Sequence, residues 1–378
     1  MASALGLAAV LLWLAWPRRG VRADDGRASA TTKHGRRARS ALRRGGGDRG
    51  AALAAARSAH AAAIASSGAA AQVAKGELVV KAPWGSGAGA LGRRRAHESN
   101  PESPMSVAID RQGRVAVLDQ VNGRLTRYDR SGRQVGSVAL DTTTAQDVSF
   151  DADGRALVLD RHTRRDVQIF DADGKRVGSV PLVGGKVSEA GTVSGVFSDA
   201  DGIYVEVGND QVVRVADSAG QPTGGQETIP GRPTRDGKLV VRAGIVQRDS
   251  GRVYVQAHER QRSKPGQGML AHALVWETPL RLAAPVIEIL MLDSDRQGNV
   301  YLAVEIGRRD EATNRMVDQA TIVVKLDGKR GALVGDLRLP STLANPAETF
   351  RPLAVTDAGE VVQMLASSEG VTVRRYQF

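Results

Sequence analysis

The chain of 378 residues is 42 % hydrophobic but only 4 % aromatic, and it holds 43 glycines and no cysteine. That mix can build a core and suits many short strands joined by glycine turns better than a helical bundle, and the missing cysteine excludes disulfides, thiolate metal sites and cysteine nucleophiles. The net charge of +11 is concentrated at one end: residues 1–75 carry 13 Lys and Arg against 3 Asp and Glu, and the remainder carries 39 against 38, so the basicity belongs to a tail and no specific nucleic-acid partner is indicated for the body of the chain.

The first element is the apolar run "ASALGLAAVLLWLAW", long for a signal-peptide core and short for a membrane span. Small residues at Val21 and Ala23 place a cleavage site before Asp24, so residues 1–23 are read as a signal peptide or an N-terminal anchor. Export to a periplasmic or extracellular location is the expectation. Arg18 and Arg19 follow the run and no basic residue precedes it, which keeps the anchor reading open. Residues 24–76 are rich in Ala, Gly and Arg with hardly a large apolar side chain, and read as a disordered basic linker able to make weak contacts with anionic surfaces.

From residue 77 onward the sequence repeats. Turns resembling Asp-x-x-Gly end at Gly113, Gly154, Gly202, Gly251, Gly298 and Gly359, at intervals of 41, 48, 49, 47 and 61 residues. An apolar strand precedes each turn and a second follows it, as in "SVAI" and "RVAVLD" around Gly113. A third strand completes each unit, and in several a further glycine turn leads to a fourth, as in "DRSGRQVGSVAL". Four antiparallel strands in every 40 to 60 residues predict an all-β, six-bladed β-propeller over residues 77–378. The last unit has three strands, and "ELVVKAPW" at 77–84 has no unit of its own, so the N-terminal strand is expected to complete the last blade and close the ring.

The stretch "PMSVAIDRQGRVAVLDQVNGRLTRYDRSG", with the Gly-rich "WGSGAGALG" ahead of it, resembles the NHL-repeat pattern. The resemblance is strong over 84–136, moderate in the next unit, where Thr163 replaces Asn, and weak beyond. It implies a six-bladed propeller used mostly for recognition, with Asp119, Asn122 and Arg124 as blade-stabilising residues.

Strand direction divides the connections between two faces. First-to-second and third-to-fourth turns lie on one face, and second-to-third and blade-to-blade connections on the other. By this count every long insertion (92–103, 183–191, 259–269, 307–318 and 340–351) falls on the second, long-loop face, where a rigid scaffold commonly presents a binding surface. Arg93, Arg94, Arg262, Arg308 and Arg309 are the expected rim residues, suited to an acidic or hydroxyl-rich partner. Glu102, Asp147, Glu288 and Glu348 sit at strand entries where they could ring the channel mouth, and Asp293 lies within the apolar strand "EILMLDSD" as a channel-lining acid. A divalent metal held by such a ring would make a lactonase-like or lyase-like enzyme. The histidines have no metal-ligand spacing, and no nucleophile or phosphate-binding motif occurs. The expectation is therefore a monomeric, non-enzymatic module with no cofactor, binding a protein, peptide or glycan; the metal-dependent enzyme and an envelope-tethered structural protein are the alternatives.

Overall fold

The computed structural model describes residues 72–378 apart from 96–98, 209–210, 226, 263–271 and 346. The expected leader and most of the expected linker lie outside the described residues. Six four-stranded antiparallel sheets follow one another along the chain, which is the six-bladed propeller with its blades around a central channel. The first blade is β2 (Ser106–Ile109), β3 (Val115–Asp119), β4 (Arg124–Tyr128) and β5 (Gln134–Ala139); the second is β6 (Asp147–Phe150), β7 (Ala156–Asp160), β8 (Asp166–Phe170) and β9 (Arg176–Pro181). The third is β10 (Val193–Asp199), β11 (Gly202–Val207), β12 (Gln211–Asp217) and β13 (Thr228–Ile229). The fourth is β14 (Arg232–Pro233), β15 (Leu239–Gln247), β16 (Arg252–Glu259) and β17 (Leu274–Arg281), and the fifth is β18 (Val286–Ser294), β19 (Val300–Arg309), β20 (Met316–Leu326) and β21 (Leu333–Leu339).

The sixth blade joins both ends of the domain. Its inner strands are β22 (Leu353–Val355), β23 (Val361–Ala366) and β24 (Gly370–Tyr376), and its outer strand is β1 (Glu77–Pro83), paired antiparallel with β24 so that Val80 faces Val373. The predicted closure is thus present. Val79 and Val80 are buried with Val107 and Tyr128 of the first blade and Met364 of the sixth, and the turn at Gly132 presses on them. Gly132 has φ +80°, and a β-carbon there would stand 1.7 Å from the Val79 carbonyl oxygen, so both backbone conformation and space demand glycine. Just ahead of β1, the Ala74 amide donates to the Arg338 carbonyl of β21 at 2.7 Å, extending the described chain onto the fifth blade.

Packing is between blades, as period-2 strands require when both sheet faces are covered. Leu118, Leu125 and Ala116 of the first blade meet Val148, Val158 and Phe170 of the second; Val255 and Trp276 of the fourth meet Val304 and Ile322 of the fifth. The NHL-like residues brace the first blade. Asp119 accepts from Gly92 N (2.9 Å), Asn122 (2.8 Å) and Arg124 (2.9 Å), while Asn122 and Arg124 donate to the carbonyls of Gly85 (2.9 Å) and Ala90 (2.7 Å). In the second blade Asp160 instead accepts from Thr144 (2.9 Å) and from the amides of His162 and Thr163, so threonines do the bracing where Asn is replaced.

The fourth blade departs from the expected pattern. The turn ending at Gly251 joins β15 to β16, the second and third strands, and the first-to-second turn is the tighter "TRDG", closed by Gly237 N to Thr234 O at 2.9 Å. The whole unit is therefore shifted by one strand. The connection from β16 to β17 is therefore a third-to-fourth one, so its described residues 260–262 lie on the turn face, and the third-to-fourth connection from β12 to β13 of the third blade starts there as well. The turn face is not limited to tight turns.

Candidate functional site

A cavity of about 510 Å³ occupies the channel and is lined by residues of all six blades. Its mouth is at the turn face, because Arg111, Ala152, Ala200, Arg235, Arg296 and Asp357, each the residue just after the start of its blade's first-to-second turn, all line it. At the other end of the inner strands lie Ser194, Arg232, Phe350 and Arg351.

That inner end is built from buried ion pairs between blades. Arg351, just before β22, donates to Asp147 of the second blade, whose carboxylate also accepts from the amides of Val148 (2.9 Å) and Val196 (3.1 Å). Arg232 of the fourth blade forks onto Glu206 of the third, Nε to Oε1 at 3.2 Å and Nη2 to Oε2 at 2.8 Å, and donates to the Leu292 carbonyl of the fifth. The ring of Phe197 lies between the two guanidiniums, 4.4 Å from Arg232 and 5.5 Å from Arg351. Burial pushes the Glu206 carboxyl upward, but the Arg232 charge and its hydrogen bonds outweigh that and hold it below the ordinary range. For Asp147 the balance is reversed: complete burial pushes its carboxyl up against the opposing pull of Arg351 and the two amides.

Nearer the mouth, Arg235 bridges Asp293 of the fifth blade (2.9 Å) and Asp357 of the sixth (3.0 Å), and Arg296 reaches the other oxygen of Asp357 at 2.6 Å. On the opposite side Arg260, from the displaced fourth-blade connection, is sealed against the third blade. It contacts Asp199 (3.1 Å), Asp201 (2.9 Å) and the Tyr204 hydroxyl oxygen (2.7 Å). Burial and the Asp199 charge hold the Tyr204 phenol far above its usual range, so it stays protonated.

The residues expected from sequence are distributed differently from a single site. Arg262 leaves the long-loop rim: it pairs with Asp201 at 3.0 Å on the turn face and lines the cavity mouth, a consequence of the strand shift in its blade. Asp293 is among the residues that line the cavity. Arg93 and Arg94 lie in the connection between β1 and β2, whereas Arg308 and Arg309 are the last residues of β19, ahead of the loop to β20; each has a local neighbour. Arg93 stacks on Trp84 at 5.2 Å, Arg94 bonds Glu102 at 3.2 Å, Arg308 bonds Asp318 at 2.7 Å and Arg309 bonds Asn314 at 2.7 Å.

The four acids do not come together as a ring. Glu102 and Glu348 are neighbours through a parallel backbone bridge, and burial, then the Glu102 charge, raises the Glu348 carboxyl. Asp147 is enclosed with Arg351. Glu288 faces Glu305 in the β18–β19 register, and burial followed by that second charge raises it. Among the described residues no three His, Cys, Asp or Glu side chains converge in a manner suited to a metal.

Sequence reasoning missed Arg232, Arg235, Glu206 and Arg351. Two of these flank "PT" in "GRPTRDG", whose Pro and Asp-Gly are turn signals. The more regular spacing of Gly251 masks it.

No protein-family model and no curated protein matches the chain. Among solved structures it is similar to Kuenenia stuttgartiensis hydrazine synthase (14 % identity over 71 % of this chain and 75 % of that one, TM-score 0.44). It is also similar to a streptogramin B lyase (12 %, 75 % and 96 %, TM-score 0.39) and to BamB from Moraxella catarrhalis (13 %, 73 % and 86 %, TM-score 0.37). The six-bladed propeller itself rests on the strand order of this chain.

Proposed function

We propose that this protein is an exported, non-enzymatic recognition module that binds a protein or peptide at the turn-face mouth of its central channel. The observation that carries the reading is the cavity of about 510 Å³ to which all six blades contribute, a concave and largely pre-formed site of the size ligands use. The long-loop rim is the weaker candidate, since its four arginines already have partners close by in the chain. A glycan is disfavoured as ligand because the three phenylalanines lining the cavity, Phe150, Phe197 and Phe350, are covered by Arg127, by Arg232 with Arg351, and by Arg161. A guanidinium therefore competes with a sugar for each of these rings. The NHL-like residues of the first blade support a recognition role. The apolar N-terminal run supports export, and the basic segment after it supports weak, salt-sensitive contact with anionic surfaces. The metal-dependent lactonase or lyase reading has less behind it, its four acids being split among separate environments.

The test is selection from a displayed peptide library on the full chain, followed by binding of the winners to two variants. Tryptophan at the exposed Ala152 and Ala200 of the mouth should abolish binding, whereas R308E/R309E on the long-loop rim should leave it intact. Winners that keep binding the blocked mouth and lose the altered rim would reverse the face.

A further inference from the structure

Resting on that reading, the hydrogen-bonding capacity left over at the mouth narrows the class of ligand. Six acids line the cavity, and each is already satisfied. Asp110, Asp151 and Asp199 cap their turns and pair outward with Arg114 (2.6 Å), Arg155 (2.6 Å) and Arg260 (3.1 Å). Asp236 accepts from Thr234 (2.7 Å) and pairs with Lys238 (3.2 Å). Asp293 and Asp357 are taken by Arg235 and Arg296.

The bases are in the opposite condition. Arg232 and Arg351 are consumed at the inner end by Glu206 and Asp147. Arg111 is exposed at the mouth and has no hydrogen-bond or ion-pair partner among the described residues. Arg296 and Arg262, both exposed, are each engaged through Nε alone, leaving the terminal nitrogens of both forks available. Once acids and bases paired outside the lining are set aside, Arg111, Arg235 and Arg296 face Asp293 and Asp357, an excess of one positive charge. Every lining acid has a cationic partner, and donors are left over. Asp357, gripped on separate oxygens by Arg235 and Arg296, is an internal example of the group such a surface holds.

We infer that the channel mouth recognises an oxyanion, supplied by an acidic side chain or C-terminal carboxylate of a partner polypeptide, through Arg111 and the free edge of Arg296. The bonds are charge-assisted and forked, which favours a planar carboxylate.

Fluorescence anisotropy on the full chain in 150 mM salt tests this with two labelled probes on one Gly-Ser background, one Glu-rich and one Lys-rich. The Glu-rich probe should bind, and R111E/R296E should weaken it by about tenfold or more, the worth of at least one charge-assisted bond. The control R130E/K175E reverses two exposed charges elsewhere on the turn face, so it changes net charge equally and leaves any contribution of the basic tail in place; it should bind like the parent. Tryptophan at Ala152 and Ala200 should also abolish binding. Equal loss in the two charge-reversal variants, or preference for the Lys-rich probe, would overturn the inference. Displacement of the Glu-rich probe by inorganic phosphate at probe-level concentration would overturn the peptide source. Binding that survives the tryptophans would instead bring down the channel reading beneath it.

Discussion

Arg351 reaches Asp147 across the inner end of the channel, joining the sixth blade to the second over 204 residues of chain. The contact pins two blades that share no sheet, and with Arg232 and Glu206 it turns this end of the channel into a set of inter-blade ties. Asp147 is fully buried, so its charge depends on this partner.

Replacing Arg351 by Met should therefore cost about 3–5 kcal/mol in denaturant unfolding, the penalty of leaving a buried carboxylate unpaired. Replacing both residues, as D147L/R351M, should cost less than the single change, because no buried charge is then stranded. A single variant as stable as the parent would mean that water or another base serves Asp147.

Two carboxyls should give stability opposite dependences on pH. Glu206 is depressed in the folded state, so its contribution is present above the unfolded value of about 4.3 and is lost as pH falls through the folded one. E206Q should be strongly destabilised at pH 7, with the gap to the parent closing in acid. Glu288 is raised, so its ionised form opposes folding at neutral pH and the cost disappears as pH falls toward the unfolded value. E288Q should raise the thermal midpoint at pH 7 by about 2 °C and give no gain near pH 4. Parallel pH profiles for the two variants would contradict these assignments.

Ring closure makes a third expectation. Proline at Val80 removes an amide from the β1–β24 pairing, and alanine at Gly132 collides with the Val79 carbonyl. Each should lower the thermal midpoint by several degrees, and the two together by less than the sum, since both act on the same strand. Independent, additive effects in thermal unfolding would place Gly132 outside the closure.

Much of this architecture could be read in advance, for a local reason. Gly-turn spacing, strand alternation and the unpaired "ELVVKAPW" are short-range signals, and the ring that they imply is the one the strands form. The fourth blade resisted because its strands are uneven: β14 has two residues, β15 nine and β16 eight. A two-residue strand has no alternation to detect, so even spacing selects Gly251 as the first turn and puts Arg262 on the wrong face with it. The inner ties were hidden for a different reason. Arg351 and Asp147, or Arg232 and Glu206, are distant in sequence and carry no motif, and only closure of the ring brings them together.

The corrected register of the fourth blade can be checked through Arg260. Its guanidinium is buried against Asp199, Asp201 and Tyr204, so R260M should cost about 3–5 kcal/mol in unfolding experiments. With 259–269 on the long-loop face, as equal repeat spacing suggests, the residue would be a solvated loop arginine and the change close to neutral.

Whether ligands enter the channel from the turn face is decided by hydrogen exchange of the full chain, with and without a saturating peptide selected on it. Entry from that face gives new protection in the turns at 110–114, 151–155, 234–238 and 295–299, with the long-loop segments 99–105 and 310–316 unchanged. Protection confined to those long-loop segments, with the four turns unaltered, would contradict it.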